Sequence, residues 1–211
     1  MGEYKPIETS YDGYRFRSRL EARWAVFFNA ANIEYQYEPE GFVGMNRIPY
    51  LPDFYLPQFD IYCEVKPTDE ALFKDSQKIG AAIDWGATPI SSKGLILLGG
   101  IPYDPTRYPV FCALYHHKGV ACTDAVFDIW NGKPVLSMEG DWWCGMNERG
   151  NIWLYFGPAS YGDITSDEIP RGASVGPAYK EYSRAGDPAH INACFAKARA
   201  ARFEYGESGS T

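Results

Sequence analysis

Asp53, Glu64 and Lys66 are the residues of this chain whose types and spacing can do chemistry. They lie in Leu51-Pro52-Asp53-Phe54-Tyr55-Leu56-Pro57-Gln58-Phe59-Asp60-Ile61-Tyr62-Cys63-Glu64-Val65-Lys66, which reads as two short strands. Pro52 and Pro57 bracket the first, and Ile61 to Val65 is β-branched, aromatic and apolar enough for the second. A hairpin centred on Gln58-Phe59 sets Leu56 opposite Ile61 and Asp53 opposite Glu64. Opposed residues share a face with Cβ atoms about 4.5–5.5 Å apart, close enough for two carboxylates to hold one cation. The two-residue period puts Lys66 on the Glu64 face and turns Val65 the other way. Two carboxylates and an ammonium so placed outline a site for metal-assisted hydrolysis. Gln58-Phe59 lacks the Gly or Asn of a primed two-residue turn, so a longer loop is compatible with the pairing. An even shift of register keeps the acids together and an odd shift separates them. Taken alone, the same residues also fit a surface hairpin with a solvated acid and base.

The elements upstream bear on that choice. Residues 17–32 read as an amphipathic helix, with Ser18 as N-cap and Glu21 three positions on, the capping-box pattern. Leu20, Trp24, Phe27, Phe28 and Ala31 fall within about one third of the helix circumference. Glu21 lies at the edge of that stripe, about 20° from Phe28 in projection. A carboxylate so close to a buried face needs a partner. Glu21 either closes the capping box onto the helix's own amide or points at the strand site as a third carboxylate.

Tyr35 to Phe42 supplies a strand between this helix and the Pro-Asp strand. Thr68 to Trp85 supplies a second helix, with Thr68 as N-cap, Asp69 and Glu70 in the first turn, and Gly86 near its end. Gly94 to Gly100 encloses a short apolar run suited to a buried central strand. The order is helix with Glu21, strand, strand with Pro52-Asp53, strand with Glu64-Val65-Lys66, helix, strand. This arrangement resembles the PD-(D/E)XK nuclease superfamily, whose restriction-endonuclease-like core runs αβββαβ. Ser18-Arg19-Leu20-Glu21, Pro52-Asp53-Phe54-Tyr55-Leu56-Pro57 and Glu64-Val65-Lys66 resemble phage Holliday-junction resolving endonucleases in particular. They are also similar to transposase-associated endonuclease subunits and very-short-patch repair endonucleases. The resemblance covers roughly residues 14–100.

It implies an α/β (α+β) nuclease-like core in residues 1–100; the residues beyond read, by their own pattern, as a β-rich aromatic accessory region in 101–170 and a loop, C-terminal helix and disordered tail in 171–211. It implies divalent-metal-dependent hydrolysis of DNA phosphodiester bonds, with Mg²⁺ or Mn²⁺ as cofactor. Asp53 and Glu64 would be direct metal ligands, joined by the Val65 backbone carbonyl. Glu21 would coordinate through water or complete a second-metal site. Lys66 would orient the attacking water and offset transition-state charge. The local pattern points to a structure-selective endonuclease of phage or mobile-element type, with branched DNA as the most specific substrate form. Resolvases act as symmetric dimers, which allows a homodimer here, although no dimerisation segment is legible. The alternative is a non-catalytic nucleic-acid- or protein-binding (inhibitor) protein on the same fold.

Other basic residues have two readings. Arg15, Arg17, Arg19 and Arg23 cluster at the first helix's start and could grip a nucleic-acid backbone or balance nearby acids. Lys74, Gln77 and Lys78 on the second helix could contact phosphate or form a solvated face. Asp60 and Asp69 read as turn and helix-start residues.

The 211-residue chain has net charge −7 and pI ≈ 5.0. Ten basic and fourteen acidic residues fall in 1–100, ten and thirteen in 101–211, so the acidity is spread. That argues against unselective DNA coating and fits an acidic site within a basic rim. No apolar run reaches membrane-spanning length and no signal-peptide pattern is present, so a soluble protein of a bacterial or phage-infected cytoplasm is expected. Five scattered cysteines without a C-x-x-C fit reduced thiols. Cys112, His116, His117, Cys122 and Cys144 match no compact zinc spacing.

Pro102, Pro105 and Pro109 mark a loop leaving the core sheet. β-like runs follow at 108–115, 125–130, 133–138 and 151–156, with Asn131-Gly132 as a hairpin turn. The aromatics around Trp142-Trp143 and Trp153 read as the core of a small sheet, or as platforms for unpaired bases. Residues 158–188 read as loop, and 188–203 as a C-terminal helix.

Overall fold

The computed structural model describes residues 6–83, 88–104, 108–116, 120–146, 152–155, 178–180 and 188–203. An Asp12-Gly13 turn with both φ angles positive joins β1 (Thr9–Tyr11) to β2 (Tyr14–Phe16), as a primed turn requires. α1 (Arg19–Ala30) follows, capped by the Ser18 side chain, which accepts the Glu21 amide. Its inward stripe buries Trp24, Phe27 and Phe28 completely.

The strand expected over 35–42 is broken. β3 (Gln36–Tyr37) pairs with the Pro-Asp strand, while β4 (Phe42–Val43) pairs with β5 (Pro49–Tyr50) in a separate ribbon. Between them Glu38 takes a left-handed φ of 44°, which no continuous strand tolerates. A 3₁₀ turn at Met45–Arg47 links β4 to β5. β6 (Phe54–Leu56) and β7 (Ile61–Val65) form the motif hairpin. α2 (Asp69–Ile83) starts where Thr68 Oγ1 accepts the Ala71 amide; the expected end of this helix at Trp85-Gly86 lies outside the described residues. α3 (Ile90–Lys93) then leads into β8 (Leu95–Leu98), fully buried and parallel to β7.

β9 (Tyr108–His116), β10 (Val120–Trp130), β11 (Lys133–Met146) and β12 (Ile152–Tyr155) add to the same sheet. After the proline-rich stretch the chain therefore returns to the sheet: β9 lies antiparallel to β8, with Leu95 opposite Leu114. Asn131 and Gly132, φ 50° and 73°, make the expected turn between β10 and β11. β13 (Ala178–Lys180) pairs with the start of β9, and α4 (Pro188–Ala200) packs on α1. The strand order is β12-β11-β10-β9-β8-β7-β6-β3, mixed because β7 and β8 run parallel. The aromatic strands of the second half thus belong to one long sheet. The remainder of 158–188, Phe156 and the tail lie outside the described residues.

Helices cover both faces of this sheet. Phe54, Ile61, Cys63 and Val65 meet α1 and α4 on one side, where Phe27 and Phe195 stack at 4.1 Å. Tyr62, Leu95, Leu97 and Leu114 meet Leu72 and Ile79 of α2 on the other. Strand alternation sends Glu64 to the α2 side with Tyr62. Among the described residues no helix is long and apolar enough to cross a membrane.

Candidate active site

The β6–β7 register pairs Leu56 with Ile61, Tyr55 with Tyr62 and Phe54 with Cys63. It is the parity that brings Asp53 and Glu64 together. Residues 57–60 close the hairpin as a four-residue loop, with Phe59 N–H donating to Leu56 O at 3.1 Å and Asp60 at φ 53°. The positive φ falls on an Asp, a residue that tolerates it, where the two-residue turn would have required Gly or Asn.

Asp53 and Glu64 are 4% and 5% exposed at the floor of a cleft of about 380 Å³. Asp53 Oδ2 accepts the Val65 amide at 2.7 Å, and Asp53 Oδ1 accepts Arg17 Nη2 at 2.6 Å. Glu64 Oε1 lies 2.8 Å from Lys66 Nζ, and Glu64 Oε2 accepts the Tyr50 hydroxyl at 2.7 Å. Burial, then repulsion from Glu64 and Glu21, pushes the Asp53 carboxyl well above the usual range, against the pull of Val65 N–H and Arg17. Burial also pushes Glu64 up, opposed by Lys66 and Tyr50. Tyr50 is raised by burial and by the Glu64 charge, so it stays a protonated donor.

Burial works against the Lys66 ammonium, but Glu64 and Asp75 outweigh it and its pKa rises. Asp75 Oδ2 receives Lys66 Nζ at 2.5 Å, and Asp75 Oδ1 receives Lys78 Nζ at 3.2 Å. Burial would raise Asp75 too, yet the hydrogen bonds from the two lysines leave it lowered. A chain of alternating charge, Glu64–Lys66–Asp75–Lys78, therefore runs from the cleft floor to its rim.

Glu21 is 8% exposed and lines the same cleft, and it combines both readings of the sequence. Its Oε1 accepts Ser18 Oγ at 2.7 Å, and its Oε2 accepts Tyr37 OH at 2.6 Å and Arg17 N at 3.1 Å. Ser18 Oγ accepts the Glu21 amide at 3.2 Å, which makes the N-cap half of the capping box, while the carboxylate takes Ser18 Oγ and the Arg17 amide and still repels Asp53. Arg17 and Lys78 line the cleft; Arg15, Arg19, Arg23, Lys74 and Gln77 do not. Arg15 pairs with Glu8 on the β1–β2 hairpin. Asp60 bonds Tyr55 and Lys93 as a turn residue, and Asp69 begins α2.

Sequence reasoning missed Asp75, Tyr50 and Glu38. Asp75 sits on a solvent-leaning turn of α2 and Tyr50 in a two-residue strand, where no periodicity marks a partner. Glu38 carries one signal, the Pro39 that follows it inside an otherwise strand-like run.

Among the described residues no group of three or more His, Cys, Asp and Glu is arranged to hold a metal ion. Of the cysteine–histidine set, His117 and the side chains of His116, Cys122 and Cys144 lie outside the described residues. Cys63, Cys112 and Cys194 are buried and form no disulfide. The buried acidic donors that face the cleft without a helix-capping role are Asp53 and Glu64; Asp75 also lines it but is taken up by Lys66 and Lys78. Two buried carboxylates, both raised by burial and Asp53 further by the Glu64 charge, are a hard-oxygen set that a divalent cation would relieve. Val65 N–H points at Asp53, and strand geometry sends the Val65 carbonyl to the same side. These donors fit a divalent cation with part of its shell left to water. Comparison with protein-family models, curated proteins and solved structures finds no match to this chain.

Proposed function

We propose that the protein is a divalent-metal-dependent nuclease that hydrolyses DNA phosphodiester bonds, a structure-selective endonuclease of the phage or mobile-element kind. The observation that carries this reading is the meeting of Asp53, Glu64 and Lys66 in one cleft, through the hairpin parity that the PD-(D/E)XK resemblance needs. The succession α1, β3, β6, β7, α2, β8 supports a restriction-endonuclease-like core.

Asp53, Glu64 and the Val65 carbonyl would hold Mg²⁺ or Mn²⁺, which when bound neutralises charge at the scissile phosphate and acidifies water. Lys66 has three donor hydrogens, of which Glu64 and Asp75 use two. The third is left for a water or a phosphate oxygen. Because its pKa is raised, Lys66 keeps its proton and serves as an orienting cation, not as a base. Lys78 and Arg17 give the cleft a basic rim for the substrate backbone. Branched DNA is the substrate form that the Ser18-to-Glu21 and Pro52-to-Pro57 patterns favour.

The test is incubation with supercoiled, linear, single-stranded and four-way-junction DNA in Mg²⁺, Mn²⁺ or EDTA, alongside Glu64→Ala. Cleavage in Mg²⁺ or Mn²⁺ alone, lost in Glu64→Ala, is expected. Cleavage that survives EDTA or the substitution overturns the mechanism.

One observation favours a second reading, a non-catalytic nucleic-acid- or protein-binding protein on the same fold. Both floor carboxylates already have basic partners, Arg17 and Lys66, so the cleft is internally neutralised. That reading gains if no substrate is cut and Mn²⁺ does not bind.

A further inference from the structure

Arg17 is built as an arm on a fixed base. Its backbone N–H is shared by Glu21 Oε2 at 3.1 Å and Tyr37 OH at 3.0 Å, which pins the residue beside the N-cap Ser18. The side chain beyond is 54% exposed, and its guanidinium spans two acids. Nη2 lies 2.6 Å from Asp53 Oδ1 and Nε 2.7 Å from Glu38 Oε1. Glu38 is tied to the same rim, because its N–H donates to Asp53 O at 2.9 Å. The arm can therefore release one partner and keep the other without moving the backbone.

Asp53 has a donor on each oxygen, Val65 N–H on Oδ2 and Arg17 on Oδ1. The Val65 contact is buried and part of the hairpin; the Arg17 contact faces solvent. A divalent cation on Asp53 meets a guanidinium a few ångströms away, and like charges at that range repel strongly in a shielded cleft. The exposed partner is the one that yields. With Nε still on Glu38, the freed Nη groups face the cleft mouth, and a guanidinium fork suits phosphate oxygens.

On the strength of the nuclease reading above, we infer that Arg17 is an exchangeable counter-ion. It neutralises Asp53 until a divalent cation takes that carboxylate, and it then binds a backbone phosphate of the nucleic acid. Metal and nucleic acid consequently tighten each other's binding, since the metal frees Arg17 for the phosphate and the phosphate holds Arg17 off Asp53. Arg17 acts as a binding residue whose availability the metal controls.

The test uses the full chain, stripped with EDTA and desalted, as wild type, Arg17→Gln and Arg17→Lys. Mn²⁺ affinity is read by electron paramagnetic resonance, and affinity for a labelled four-way junction by anisotropy in EDTA and in Ca²⁺. Arg17→Gln is expected to bind Mn²⁺ about tenfold more tightly than wild type. Whatever its DNA affinity in EDTA, it should lose the gain that Ca²⁺ gives wild type. Arg17→Lys keeps the charge without the fork, so it should retain wild-type Mn²⁺ affinity and lose the Ca²⁺ gain. Equal Mn²⁺ affinity in wild type and Arg17→Gln overturns the exchange and leaves the nuclease reading standing. Equal loss of DNA affinity with and without Ca²⁺ makes Arg17 an ordinary phosphate contact and also overturns it. No Mn²⁺ binding by any of the three proteins sinks both.

Discussion

Asp53 Oδ2 accepts the Val65 amide at 2.7 Å, so the acid of the Pro-Asp bend is hydrogen-bonded to the residue between Glu64 and Lys66. That one bond ties the two halves of the motif together. It also locks the hairpin at the register where both acids share a face, because a one-residue slip would break it and turn Glu64 into the opposite core.

Lys66 is positioned by Asp75 as well as by Glu64. Lys66→Met is expected to lower kcat by about 10²–10³ with little change in KM, the usual loss when a transition-state donor is removed. Asp75→Asn keeps the shape but weakens the hold on the ammonium, and should cost roughly 10–100-fold in kcat. Single-turnover cleavage of a preferred DNA substrate measures both. An Asp75→Asn protein of wild-type activity would mean that the Lys66–Asp75 contact does not position the ammonium.

The raised Asp53 carboxyl makes stability depend on pH in a fixed direction. Below about pH 4, the ordinary aspartate value, the carboxyl is protonated in both folded and unfolded chains and contributes nothing. Above it the unfolded chain ionises more readily than the folded one, so stability falls with rising pH until the folded value is passed. Each tenfold difference in proton affinity between the two states costs about 1.4 kcal/mol. In EDTA, the Tm of wild type should therefore fall relative to that of Asp53→Asn as the pH rises above about 4. Parallel Tm curves for the two proteins would show that Asp53 ionises normally.

Gly44 has no room for a side chain. A Cβ there would lie 2.3 Å from the Ala81 carbonyl oxygen and 2.6 Å from its carbon, both backbone atoms of α2. Gly44→Ala must push the 3₁₀ turn off α2 at a cost of about 1–3 kcal/mol, the range for overpacking. Tyr50, five residues on from the turn's start at Met45, holds Glu64 Oε2, so the shift should reach the cleft as well. Urea denaturation gives the stability change, and cleavage at a temperature where the variant is folded gives the activity change. Tyr50→Phe separates the two effects: it removes the hydroxyl from Glu64 without the clash.

Much of this architecture was legible in the chain itself wherever the relevant partners are close in sequence. Strand period and a short loop determined that Asp53 and Glu64 face each other, since only parity matters and the four-residue loop preserves it. Ser18 and Glu21 declared the start of α1 through the capping box, and Asn131-Gly132 declared its hairpin through the positive φ angles that those residues accept. Only the tertiary structure decided that Glu38 breaks the expected strand, that β9 returns to the sheet beside β8, and that Asp75, Tyr50 and Arg17 complete the site. Those contacts join residues with no shared periodicity, set by how α2, the β4–β5 ribbon and the start of α1 pack around the cleft. Burial, the cause of the raised Asp53 and Glu64 carboxyls, likewise comes from that packing and from nothing local in the motif.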